Sequence, residues 1–522
     1  MKIRKLLWGA LAVTVLWSCD PNEPVSTYVN TAPVVKDHSF SVKEDISDTQ
    51  IIGTVTAKDE VDHDKITFSI RTNDDDLFEI SPSGNLSLAQ GKHLDFETAE
   101  EHTITIMAHD GIVGRYAEVT IAVEDVEPEP DSPTITLNKE SLELYTMDTE
   151  TLTATVTNAE GLEIVWTSDN EEVATVDENG TVTATGSGTA TITAKLGKTT
   201  TTCTVNVIPN VYVSSFIIND LGFKVATLWK NGIAQELSDG TSDAEARSIF
   251  VDGANVYVAG YVKNANDKYV ATLWKNGVAQ ELTGPNSSAV AWDVSVQGDD
   301  VFVAGQTWNY DTGYWMVVLW KNGVPTILTD GSSHAEALSL FVDGEDVYVS
   351  GYINKTTHIL GMVWKNGFPI EFPLANKSTR INSVYVEGSN VYGAGFMSNI
   401  GEEVYAATLW KNGVLQELSN GSKNCNAISV VADSSDVYVC GYQSNASDTP
   451  VAMLWKNGIP TELWDGTVYS IATSLDLDGE DVYIAGYTRH SDQDYDFIIW
   501  KNEVPTKLAT HVYGYLRDIF VK

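Results

Sequence analysis

Apolar and polar positions alternate in short runs along most of this chain, and from residue 210 the runs fall into a fixed beat. Leu228-Trp229-Lys230-Asn231-Gly232 returns around Trp274, Trp320, Trp364, Trp410 and Trp455, then ends in the degenerate copy Trp500-Lys501-Asn502-Glu503. Successive tryptophans lie 45, 46, 44, 46, 45 and 45 residues apart, so a repeat architecture takes precedence over any local reading. In the second copy the period-two runs predict strands near 248–251, 256–261, 269–275 and 279–282. Asp-Gly closes the first hairpin (Asp252-Gly253, Asp343-Gly344, Asp478-Gly479), and Asn-Gly closes the third, where both residues accept φ > 0. Seven copies of four short antiparallel strands predict a seven-bladed β-propeller over 210–522. The ends are complementary. The first copy starts at Val211-Tyr212-Val213 without a leading strand, and Leu516-Arg517-Asp518-Ile519-Phe520-Val521 supplies one from the far end. That closure would remove two exposed sheet edges, and the rival open solenoid has no need of it.

Upstream, alternating strands fill residues 32–128. Val42-Lys43-Glu44, Ala57-Lys58-Asp59, Asp62-His63-Asp64, Leu94-Asp95-Phe96-Glu97, Ala108-His109-Asp110 and Val123-Glu124-Asp125-Val126 follow one another in an order and spacing that resemble a cadherin repeat. The resemblance implies a sandwich that binds Ca2+. Glu44, Asp95, Glu97 and Asp125 would gather at one pole, and Asp59, Asp62, Asp64 and Asp110 at the other. Calcium takes six to eight hard oxygens, so several carboxylates must converge from separate loops. The family's Asp-x-Asn-Asp linker is here Asp125-Val126-Glu127-Pro128, which lacks the Asn and the Asp after it.

Residues 131–208 resemble a bacterial Ig-like domain of group 2, through Val165-Trp166-Thr167-Ser168, Val173-Ala174-Thr175-Val176 and Gly188-Thr189-Ala190-Thr191-Ile192. Thr/Val-rich runs broken by Gly and Asn turns are a sandwich pattern in their own right. The whole chain therefore reads as all-β: a cadherin-like sandwich, an Ig-like sandwich, and a propeller closed by the C-terminal strand.

The N-terminus changes the picture of location. Lys2, Arg4 and Lys5 precede an apolar run ending in Leu16-Trp17-Ser18-Cys19, which resembles a bacterial lipoprotein signal over 1–19. The resemblance implies lipidation of Cys19 and anchorage to a membrane, outer membrane or cell surface, followed by a polar tether over 20–31. The run is too short to span a bilayer.

Composition narrows the partners. A net charge of −40 excludes nucleic acid, because nothing here would neutralise phosphates. Residues 1–209 carry 13 basic and 36 acidic residues, against 19 and 36 beyond, so the N-terminal part is the denser carboxylate field. Four cysteines are too few for a disulfide scaffold, and a Cys425–Cys440 bridge stays open as an alternative to packed thiols.

The recurring Trp residues read either as equivalent sugar-stacking sites or as packing between blades, and packing is the simpler account. The repeat also resembles the short HAF repeats of bacterial surface proteins, which name no activity. Variable positions are more informative. Trp308, Tyr310, Tyr314 and Trp315 are predicted to share one loop, and Trp292 and Trp464 to lie in inter-blade segments, offering aromatic faces to a glycan or protein ligand. No catalytic motif is present, so the chain reads as a binding or adhesion protein and not an enzyme. The alternative is a surface polysaccharide hydrolase or lyase using Asp293, Asp476 or Asp518.

Overall fold

The computed structural model describes residues 29–61, 63–126, 133–159 and 161–522. The lipobox with Cys19, most of the tether, Asp62 and the linker residues Glu127 and Pro128 lie outside them. The described chain is all-β, with one 3-10 turn at Asp74–Asp76 and no helix long and apolar enough to cross a membrane. It divides into two compact units, residues 1–132 and 133–522.

In the first unit, Glu101–His109 and Gly114–Glu124 form the central hairpin of a four-stranded sheet, with His38–Lys43 added in parallel and Thr67–Thr72 antiparallel. A three-stranded sheet packs opposite. The alternation is legible in the burial. Ile104, Ile106, Val119 and Ile121 are at most 1 % exposed and share one core with Leu86 and Leu88.

The second unit opens with an Ig-like sandwich, whose sheets are Ser141–Tyr145, Thr199–Ile208, Gly188–Leu196 and Ile164–Ser168 in one layer and Thr149–Thr151, Thr181–Ala184 and Ala174–Val176 in another. Seven four-stranded antiparallel sheets follow. Sheets 2 to 7 each use four strands in chain order, beginning at Ala244–Asp252, Ala289–Gln297, Ala335–Asp343, Lys377–Glu387, Cys425–Ala432 and Tyr469–Asp478. Sheet 1 takes its first strand from Gly514–Val521, which pairs with Val211–Ile218. Each first strand packs beside the next, and that of sheet 7 lies beside Gly514–Val521, so the series closes on itself. Asn210 stitches the Ig-like sandwich to this closure. Its side chain donates to the Thr146 carbonyl (2.6 Å), and its N–H donates to the Lys522 carbonyl (2.7 Å).

Each residue of the recurring tetrapeptide has its own structural role. Six of the tryptophans are 0–2 % exposed and Trp229 is 7 % exposed, so none offers a face to a sugar. Trp274 instead crosses to sheet 1, packing on Leu237 and donating to its carbonyl at 2.9 Å. The lysine sits over the second-strand aromatic of its own sheet, from Lys275 over Tyr257 at 5.0 Å to Lys230 over Tyr212 at 5.4 Å. The asparagine accepts the N–H that starts the second strand, as Asn276 does from Val256 (2.8 Å). Asn231 and Gly232, at φ 49° and 83°, make the two-residue turn. The first hairpin differs from expectation. Asp252 pairs with Asn255, so Gly253-Ala254 is the turn, and only the glycine has positive φ.

The seventh copy breaks this pattern, with Glu503 at φ 68° where the others have glycine. A left-handed backbone costs a residue with a Cβ about 1–2 kcal/mol, part of which glycine gives back as unfolded-chain entropy. Glu503→Gly is expected to stabilise the second unit by about 0.5–1 kcal/mol in urea denaturation. A less stable variant would mean that the glutamate makes an offsetting contact.

Candidate functional site

One cavity of about 350 Å³ is lined by residues from the first strands of all seven sheets. A recurring backbone irregularity builds it. Each first strand carries a register shift against its neighbour at one residue: Arg247, Trp292, Leu338, Asn382, Ile428, Thr473 and Arg517. All seven line the cavity. A bulge leaves its extra residue unpaired and re-aims its side chain, so the fold turns one variable position per repeat toward a common centre. The opposing glycine makes the close approach possible, because a Cβ on Gly260 would collide with the Glu245 carbonyl.

The residue after each bulge is Ser or Asp, and these side chains tie neighbouring sheets together. Ser248 accepts from Val294 N (3.3 Å), Asp293 from Leu340 N (2.6 Å), Ser339 from Val384 N (3.4 Å) and Ser383 from Val430 N (3.3 Å). Asp518 accepts from Ile249 N (3.0 Å) and from the Ser474 hydroxyl (2.6 Å). Asp293 and Asp518 therefore have both oxygens engaged: Ser248 and Val294 N hold the remaining oxygen of Asp293, and Ile519 N adds to Asp518. Asp476 lies between sheets 7 and 1, accepting from Val521 N at 2.7 Å.

Charge at the cavity is arranged around Glu245, a buried carboxylate 1 % exposed. Arg247 (2.8 Å), Arg517 (3.3 Å) and Lys224 all reach it. Burial alone would raise its pKa, but these cations outweigh it and hold the group at about 2. Asp293 and Asp476 shift the other way. Burial pushes each up to about 7, helped at Asp293 by the nearby Asp518, which is itself raised by burial.

Such shifts couple stability to pH. Asp293 and Asp476 take up protons on folding between about pH 4 and pH 7, and Asp518 is shifted in the same direction, so stability is lost as pH rises through that window. Glu245 acts below it, contributing stability above about pH 4.5 that is lost as pH falls toward 2. The melting temperature of the second unit is expected to rise from pH 7.5 to pH 5 and to fall again below pH 4. A flat profile above pH 5 in scanning calorimetry would contradict the raised aspartates.

Elsewhere the expected sites rearrange. In the first unit Glu44, Asp95 and Glu97 converge, each offering an oxygen within 4.8 Å of the others. Glu44 is buried and aimed by the N–H groups of Phe96 (2.8 Å) and Val126 (2.9 Å). Asp125 is exposed and stands outside this triad, because its strand has ended at Glu124. At the other pole Asp59 and Asp64 line a shallow concavity with His63, whereas Asp110 is not part of its lining. Asp110 accepts from Ile112 N, Val113 N and Asn30 Nδ2, which hold its pKa down although burial opposes them. These bonds make it the clasp of its own turn.

Of the aromatic quartet only Tyr310 lies in the turn; the other three are on strands. The strands Asp300–Asn309 and Tyr314–Lys321 run to the tip of their hairpin, so Trp308 pairs across the ladder with Trp315. Their rings meet edge to face at 5.3 Å and both are part-buried. Tyr310 and Tyr314 remain exposed, at 54 % and 42 %. Trp292 belongs to a first strand and not to an inter-sheet segment. Cys425 and Cys440 are free and buried, facing Gln443 and Ser429 across the ladder, and burial raises both thiols, Cys425 to about 11.

The arginines were not singled out from the sequence. The signal in the sequence is a position that differs between copies ahead of a recurring Ser or Asp (Arg247, Trp292, Leu338, Asn382, Ile428, Thr473 and Arg517), with Arg380 two residues before Asn382.

Comparison with known proteins bears on the first 207 residues. Among solved structures, human protocadherin-24 EC1-2 is 18% identical, covering 33% of this chain and 93% of its own, with a TM-score of 0.19. Drosophila N-cadherin EC1-4 is 21% identical over 34% of this chain and 49% of its own, with a TM-score of 0.21. The third cadherin domain of human protocadherin 7 is 18% identical over 21% and 98%, with a TM-score of 0.18. No curated protein matches. Residues 38–124 match the cadherin domain, and residues 132–207 match the bacterial Ig-like domain (group 2). The chain thus carries one domain of each kind.

Proposed function

We propose that this is an extracellular, cell-surface binding or adhesion protein, anchored through lipid at Cys19, whose seven sheets are the blades of a closed propeller that binds a glycan or protein ligand at its centre. The cadherin and Ig-like domains support the location. The observation that carries the binding role is the ring of bulges, which points seven side chains of six kinds into one cavity on an otherwise uniform scaffold. Loops and irregularities on a rigid frame are where binding residues concentrate. The test is a glycan array and a pull-down with the 133–522 unit. A ligand whose binding is lost in Trp292→Ala and Arg517→Ala supports the reading, and ligands indifferent to both would reject it.

A polysaccharide hydrolase or lyase on the same face is the competing function. General acid–base catalysis needs a carboxyl within reach of a substrate proton. Asp293 and Asp518 instead have each oxygen held by a serine or a backbone N–H, which favours binding over turnover. Release of reducing ends from polysaccharide by the purified protein would reverse that preference.

Calcium belongs to the first unit. The triad fits a hard divalent cation, since three carboxylates supply oxygens and Glu44 is already oriented by backbone donors. Glu44, Asp95 and Glu97 would hold the ion, which would neutralise their mutual repulsion and tie the loop at 95–97 to the strand end at Glu44. Millimolar calcium is expected to raise the melting temperature of residues 32–128 by several degrees, and Glu97→Gln to reduce the shift. An unchanged melting temperature would remove calcium from the account.

A further inference from the structure

Arginine is scarce in this protein, with seven residues against 25 lysines. Beyond residue 133 there are four: Arg247, Arg380, Arg489 and Arg517. Three of them line the central cavity, and Arg489 joins Arg517 around a smaller one of about 150 Å³. No lysine lines either cavity. Both cavities are thus lined by arginine without lysine, in a chain whose net charge is strongly negative.

Each guanidinium is supported by a ring. Arg247 lies 3.9 Å from the centre of Trp292, Arg380 4.8 Å from Tyr352, Arg489 4.7 Å from Tyr469 and Arg517 5.3 Å from Phe216. Stacking fixes the plane of the group without consuming its N–H donors. Donors are indeed left over. Nε of Arg247, Arg380 and Arg517 and Nε1 of Trp292 are buried without an acceptor. Buried donors are seldom left so, and four around one cavity mark the place of a missing acceptor.

The protein's own carboxylates do not supply it. Glu245 is shared among Arg247, Arg517 and Lys224, and the oxygens of Asp293 and Asp518 face serines and backbone N–H groups. Arg380 has no ion-pair partner among the described residues. The rest of the lining consists of serine hydroxyls, the amides of Asn382 and Asn426, and the faces of Trp292 and Tyr487. Short hydroxyl and amide groups beside aromatic faces suit a ring of sugar hydroxyls, and the guanidinium fork suits a planar carboxylate. The volume lies near the lower end of small-molecule sites, room for the end of a chain and not for its length.

Resting on the binding function above, we propose that the central cavity takes the carboxylate-bearing end of an acidic glycan, with Arg380 as the principal anion ligand. The test is titration calorimetry on the full chain with trigalacturonate, its methyl ester, a glutamate-rich peptide of similar length and sodium sulfate. Trigalacturonate is expected to bind, the ester at least tenfold more weakly, and added salt to weaken the acid but not the ester. Arg380→Gln is expected to lower affinity for the acid at least tenfold, and Arg380→Lys, which keeps the charge but not the fork, by less. Should Arg380→Gln fail to fold, the ester and salt comparisons on the unaltered chain decide alone. Equal binding of acid and ester would overturn the acidic specificity while leaving the glycan-binding function in place. Tighter binding of the peptide or of sulfate, or an unchanged affinity in Arg380→Gln, would overturn it too. Absence of any binding would reject both.

Discussion

Removal of residues 514–522 is expected to abolish cooperative folding of the seven-sheet unit. That segment supplies the first strand of sheet 1, pairing with Val211–Ile218. It buries Leu516, Ile519 and Val521 at 0, 3 and 6 % exposure, in one cluster with Trp229 and Phe497. Full burial of such side chains contributes roughly 1.5–3 kcal/mol each, so three of them rival the 5–15 kcal/mol by which a domain is stable. The polar losses add to this. Without Asp518, the N–H of Ile249 and the Ser474 hydroxyl lose their acceptor, and sheets 2 and 7 lose the strand between them. Two open sheet edges would face solvent, which favours association with other chains. Scanning calorimetry and limited proteolysis would check this. A single sharp transition at an unchanged temperature would show that closure matters little.

The second large effect is expected at Glu245. Replacement by glutamine keeps the shape but leaves Arg247, Arg517 and Lys224 without their shared anion. Breaking a buried pair by removing one partner costs on the order of 3–5 kcal/mol, because the remaining charge stays desolvated. Two features refine the test. Glu245→Gln combined with Arg247→Met should recover part of the loss, since a neutral pair does not strand a charge. The gap between Glu245→Gln and the parent should also close as pH falls from about 4.5 toward 2, where the parent's own carboxylate becomes protonated. A loss that is the same at pH 2 and pH 7 would mean that the glutamate acts by packing and not by charge.

Much of this protein is written locally. Period-two alternation and Asn-Gly pairs announce the strands and hairpins of residues 210–522, because a strand's facing and a tight turn's φ depend on adjacent residues alone. The tryptophan in each copy reads correctly as packing. The cadherin and Ig-like domains are legible for the same reason, as are the carboxylates Glu44, Asp95 and Glu97, which the fold draws together. The aromatic quartet was less legible. Trp308 and Trp315 look like loop residues from their spacing, yet their strands run on to Asn309 and start again at Tyr314, and the rings pair across the ladder.

The cavity belongs to a different level. Nothing adjacent to Arg247, Arg380 or Arg517 says that they meet, since they are separated by more than a hundred residues and join only when the seven first strands stand side by side. The bulge is equally hidden. It arises where a glycine on the second strand lets the first strand press close, and this single extra residue turns what would be an ordinary strand position toward the centre. Hydrophobic alternation and turn chemistry are properties of neighbours, and they were enough to specify strands, hairpins and domain types. Convergence of unpaired donors on one volume is a property of closure, and only the assembled ring of sheets could bring it about.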